Sequence, residues 1–217
     1  MLGSDGSDFR SKSHAMTDGL PPPIRMAISH APARARPLWA GLFALDRRFA
    51  QIVGSNREPM LAQMRLAWWR ETLRAPVNGW PAGEPLLATL SAWGAHARNL
   101  AGLTDGWEAM LGEAPLEPAA FAALAGARAD AMASLAKAAG EGALASEAAA
   151  RGYAWALRDI AAHLSDPVEQ GRVTALLRTA EAPGGRAARL LRPVAILDAI
   201  ARGAGFATAL RIGLIGR

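Results

Sequence analysis

The sequence predicts an all-α fold, built as a single-domain helical bundle. Three observations carry this. Apolar residues make up 51% of the 217, and much of that fraction is alanine, the strongest helix former. Only one Tyr and five Phe occur and β-branched residues are few, so strands have little to be made from. Apolar side chains recur at spacings of three and four along most of the chain, while the alternation of a strand is nowhere convincing. No long linker interrupts the middle, which argues for one domain.

The opening stretch MLGSDGSDFRSKSHAMTDGLPPP is rich in Ser, Gly and Asp. It predicts a disordered lead over 1–24 and a folded domain over 25–217. A first long helix runs over 31–55, with Pro37 in its first turn and Leu38, Leu42, Leu45, Phe49 and Ile52 on one face. A second follows in REPMLAQMRLAWWRETLRAP, opened by Pro59 and stopped by Pro76. Met60, Met64 and Trp68 form one stripe, widened by Leu61. Trp69 lies about 100° round, beside Leu66 and Leu73. A helix apolar on most of its circumference is central in a bundle. The double tryptophan is therefore expected in the core with at least one indole buried, and Trp68→Ala is expected to cost about 3–5 kcal/mol.

Further helices are predicted over 84–98 (Leu86, Leu87, Leu90, Trp93) and 104–112 (Trp107, Met110). The segment 117–139 carries Phe121, Leu124, Arg128, Met132 and Leu135, and 144–164 carries Tyr153, Leu157, Ile160 and Leu164. Asp166-Pro167 starts a helix to residue 180, APGG at 182–185 is a loop, and two more helices cover 186–202 and 205–215. The last stretch, GFATALRIGLIGR, is apolar and flanked by arginines. It predicts a terminal helix docked on the bundle through Phe206, Leu210 and Leu214, with a membrane surface as the alternative.

Composition also excludes. No cysteine occurs, so there is no disulfide, thiolate metal site or cysteine nucleophile. The net charge of +5 rests on scattered arginines without a nucleic-acid motif, so no nucleic-acid partner is expected. No run is apolar enough to span a bilayer and the start lacks a signal-peptide core, which predicts a cytoplasmic chain in peripheral contact with a membrane at most. Serine-hydrolase, phosphate-loop and dinucleotide motifs are absent, and GAGF at 203–206 is too short to use.

Two blocks resemble the squalene/phytoene synthase family. RPLWAGLFALDRRFAQIV is similar to the family's first signature helix, and REPMLAQMRLAWWRETL to the helix after it, whose Leu-x-x-Trp-Arg ending stands here as Leu66-Ala67-Trp68-Trp69-Arg70. A weaker likeness lies in RGYAWALRDIAAHLSDPVEQGRVTAL, 151–176, which resembles the second aspartate helix and the Gly-Arg-Val segment beyond it. The resemblance implies a bundle of the isoprenoid synthase type around a central cavity. It implies substrate-binding positions at Phe43, Arg47, Arg158 and Asp159. The active family condenses isoprenoid diphosphates, with Mg²⁺ bridging paired carboxylates to the leaving diphosphate.

Those pairs are eroded here. Ala50, Gln51 and Gly54 stand where the first aspartates belong, Trp155 and His163 stand in the second group, and Asp159 alone remains. Asp46, next to Arg47, reads as a surface charge. Asp159 and His163 read as a helix-surface pair or a weak metal pair, and Arg47 and Arg158 as phosphate holders or rim salt bridges. The expectation is a non-catalytic relative with no cofactor and no metal site. It would bind an isoprenoid lipid, or a protein partner near the inner membrane as do relatives that assist assembly of respiratory complex I. The alternative is a divergent prenyltransferase using Mg²⁺.

Overall fold

The computed structural model describes residues 19–55, 58–180, 184–204 and 206–216. The expected lead lies outside these residues up to position 18, as do residues 182 and 183 of the 182–185 loop. Among the described residues every regular element is helical. Helices α1 (Pro22–Ser29), α2 (Arg36–Ser55), α3 (Pro59–Arg74), α4 (Pro85–Leu90), α5 (Gly102–Glu108), α6 (Pro118–Ala138), α7 (Ala145–His163), α8 (Pro167–Thr179), α9 (Arg192–Ala201) and α10 (Phe206–Ile215) follow in order.

The fold starts earlier than expected. Pro21 is the N-cap of α1 and the next prolines fill its first turn, where a missing N–H costs nothing because that donor has no intrahelical acceptor. The prolines thus open a helix where the sequence reading ended a lead. A second difference lies at 84–98. There α4 gives way to tight 3-10 turns over Ser91–Ala101, broken at Gly94 with φ of 52°. That conformation needs a residue without a Cβ.

Helix α6 is the centre. It packs against α5, α7 and α8. Two glycines make this possible. A Cβ at Gly106 of α5 would lie 2.7 Å from Ala127 Cβ and 3.0 Å from Leu124 Cα, and one at Gly152 of α7 would lie 2.8 Å from Met132 Sδ. Close axes on both sides hold α6 in a fixed register, and with it the one arginine on its buried face, Arg128.

Helix α3 is held by Arg70, which binds Thr104 Oγ1 at 3.1 Å, Asp105 at 2.7 Å and Glu108 on α5. The hydrogen bond to Glu108 leads the effects that raise its pKa above the ordinary arginine value, against the opposing effect of burial. The double tryptophan divides. Trp69 is buried with Ala62, Leu66 and Leu73, its ring edge-on to Phe49 at 5.8 Å. Trp68 is 43% exposed, and Met60, Leu61 and Met64 are 71%, 44% and 64% exposed. Burial of one indole is as expected. The stripe of Met60, Met64 and Trp68 is not in the core, because α3 lies at the margin and only its Leu66–Leu73 face has neighbours. The expected cost of 3–5 kcal/mol for Trp68→Ala is withdrawn with it.

The first and last described helices gather on α9. Helix α1 packs on α9, and the buried Trp39 Nε1 of α2 donates to Leu190 O at 3.1 Å, 151 positions away. Helix α10 packs on α9 with Ala209 and Ile212 buried, and Arg192 donates to Gly213 O at 2.9 Å. The docking expected of this helix is therefore seen, but Leu214 faces out at 63% exposure. The side chains of Phe206 and Leu210 lie outside the described residues. Among the described residues no helix is long and apolar enough to cross a membrane.

Candidate functional site

Arg128 projects from α6 between α2, α5 and α7, in phase with Phe121, Leu124, Met132 and Leu135, all buried. A guanidinium there must find acceptors or unfold the site, since a buried unpaired charge is among the costliest groups in a protein. It finds four partners. Its Nε and Nη2 donate to the two oxygens of Asp46 at 3.0 and 2.8 Å, a fork that matches the carboxylate. Its Nη1 donates to Asp159 at 2.9 Å. Its Cζ lies over two indoles, 5.2 Å from the Trp107 ring centre and 5.3 Å from that of Trp155. Trp107 Nε1 closes the network by donating to Asp46 at 2.8 Å. Burial disfavours the charged guanidinium, but Asp46 and then Asp159 favour it, and together they prevail. Its pKa stays above the ordinary arginine value.

This network floors a cavity of about 360 Å³. Phe43, Met110, Leu124, Trp155, Ile160 and Leu164 make its apolar wall, and Arg47 and His163 are exposed at its mouth. The volume is within the usual range for small-molecule sites, about 300–1,000 Å³. Arg47 has no ion-pair partner among the described residues. His163 Nδ1 faces its own helix, 2.7 Å from Asp159 O.

Three of the four residues picked from sequence meet here: Phe43, Arg47 and Asp159. Arg158 does not. It sits one position, about 100°, round α7 from Asp159 and turns to Asp198 of α9, which also accepts from Arg202 at 2.8 Å. Asp46 corrects a second expectation. It is buried, not a surface charge, because adjacent helical residues do not face each other: Arg47 turns out and Asp46 turns in. The roles of Asp46, Trp107, Arg128 and Trp155 were missed. The available signal was Arg128 itself, a cation in register with a buried stripe.

A hard divalent cation fits poorly. Mg²⁺ needs near-octahedral oxygen ligation, usually with carboxylates. The two carboxylates here already share one guanidinium, which a cation would have to displace. Ala50, at a position where the family resemblance expects an aspartate, lines the cavity with a methyl group. No family model, no curated protein and no solved structure matches this chain.

Proposed function

We propose that this chain is a non-catalytic relative of the squalene/phytoene synthases, with a bundle of the isoprenoid synthase type whose cavity binds an isoprenoid or similar amphiphile. One observation carries the reading: both carboxylates that reach the cavity floor are engaged by the Arg128 guanidinium, which a metal held against a diphosphate would have to displace. The apolar wall suits a hydrocarbon chain, and Arg47 at the mouth suits a phosphorylated or otherwise anionic head. The ligand would lie with its tail on Phe43 and Trp155 and its head in water near Arg47. The same reading makes the chain a factor that acts through binding, of the kind that assists respiratory complex I assembly.

Calorimetric titration with farnesyl monophosphate and farnesol tests the cavity. Saturable binding of both is expected, with Arg47→Ala weakening the phosphorylated ligand and sparing the alcohol. Absence of binding by either ligand sinks the proposal. Diphosphate-release assays with farnesyl diphosphate and Mg²⁺ or Mn²⁺ are expected to stay at background. Metal-dependent turnover abolished by Asp159→Ala would replace this reading with the divergent prenyltransferase. Loss of complex I activity on deletion of the gene is the result expected of an assembly role, and an unchanged level rules that role out.

A further inference from the structure

Helix α3 has two apolar faces, and the bundle covers one. Met60, Leu61, Met64 and Trp68 fall within about 100° of arc on the other. Single exposed apolar residues are ordinary, but four on one helical face, including a tryptophan, form a patch that marks a contact surface. Beside it runs a groove of about 480 Å³ between α2 and α3, lined by Arg48, Gln51, Ile52, Arg65, Trp68 and Trp69. Its charged lining is cationic. Arg48 shares its charge with Glu84 at 3.2 Å, while Arg65 is exposed and has no ion pair among the described residues.

The shape decides between occupants. A bilayer receives protruding apolar side chains but does not fill a trough, whereas a helix does. We propose that the α2–α3 groove docks an amphipathic helix of a protein partner with acidic side chains along its edges. Its apolar stripe lies on Met64 and Trp68, and its carboxylates meet Arg48 and Arg65. Tryptophan and arginine are the residues that most often anchor such contacts, and methionine adapts its shape to what it meets. Opposite charge then selects the partner and speeds encounter. This surface is separate from the cavity. Helix α2 turns Phe43, Asp46 and Ala50 to the cavity, and Arg48, Gln51 and Ile52 to the groove.

A displayed library of randomised helical peptides, selected on the immobilised full chain and counter-selected on its Trp68→Ser variant, tests the proposal. Enriched peptides are expected to carry apolar residues at helical spacing flanked by Asp and Glu. The synthesised winners should lose at least about tenfold in affinity on Trp68→Ser and on Arg65→Glu, and bind more weakly as salt rises. Both side chains are exposed, so far-UV circular dichroism should not change. If Trp68→Ser loses helicity, Met64→Ser takes its place in every arm. Recovery of no Trp68-dependent peptide, or of peptides with basic flanks, overturns the proposal. So does Trp68-dependent flotation on phosphatidylcholine/phosphatidylglycerol vesicles, which assigns the face to a membrane. A Trp68-dependent dimer in sedimentation overturns it in favour of a second copy.

Discussion

Arg128→Met removes the guanidinium and keeps a side chain of similar length and apolar stem, so little of its effect is cavity. What remains is electrostatic. Three charge-assisted hydrogen bonds at 2.8–3.0 Å disappear, together with two contacts to indole faces. Asp46 and Asp159 are left facing each other's charge with side chains only 13% and 29% exposed. Stranding one member of a buried pair costs about 3–5 kcal/mol. Water reaches Asp159 and screens part of that, so the lower end, about 3 kcal/mol, is expected. With a urea dependence of about 2–3 kcal/mol/M, the unfolding midpoint by circular dichroism falls by about 1–1.5 M. Asp46→Asn in the same chain removes the more buried of the two stranded charges and its repulsion with Asp159, so the double variant should lose about 1–3 kcal/mol less than the two single losses added. A fall equivalent to under about 1 kcal/mol, or strict additivity, would refute the cluster as a buried support.

Other outcomes follow from the same geometry. Trp69→Ala should cost about 3–5 kcal/mol and Trp68→Ala under about 1, by urea titration, because one indole is buried and the other faces solvent. Gly106→Ala should destabilise by about 1–3 kcal/mol, since backbone atoms of α6 stand in the way. Gly152→Ala should cost less, since the nearest obstacle is the flexible Met132 side chain and alanine favours the helix by about 1 kcal/mol. Thermal shift compares the two. Mg²⁺ or Mn²⁺ should raise the melting temperature of Arg128→Met, whose carboxylates are released, and leave the natural chain unmoved.

Most helices were legible because apolar spacing is a local signal, and prolines open α3, α6 and α8 as expected; α1 was not, since its prolines read equally well as the end of a lead. Which apolar face of α3 would be covered was not, since Trp68 and Trp69 are equal in sequence and only the packing of α5 and the 91–101 turns separates them. Of the positions that the family resemblance implied, Phe43, Arg47 and Asp159 line one cavity. Arg158 turns away to Asp198 and Asp46 turns in, because one residue's rotation on a helix decides between cavity and neighbour. Arg128 stood in plain register with Leu124 and Met132. Its meaning depended on two acids 82 and 31 positions away, a distance that no local pattern spans.

The bond from Trp39 to Leu190 also sets a timetable. The indole of α2 leaves the ribosome 151 residues before its acceptor does. At synthesis rates of about 5–20 residues per second, that interval lasts about 8–30 s. Throughout it α1 lacks its α9 neighbour and the apolar underside of α2 is partly bare, which is when a nascent chain attracts chaperones. Helices α2 to α8 can reach only a provisional arrangement during this time, and closure waits for the segment around Leu190. Ribosome stalling in that segment would therefore hold an otherwise nearly complete bundle open at its first helices.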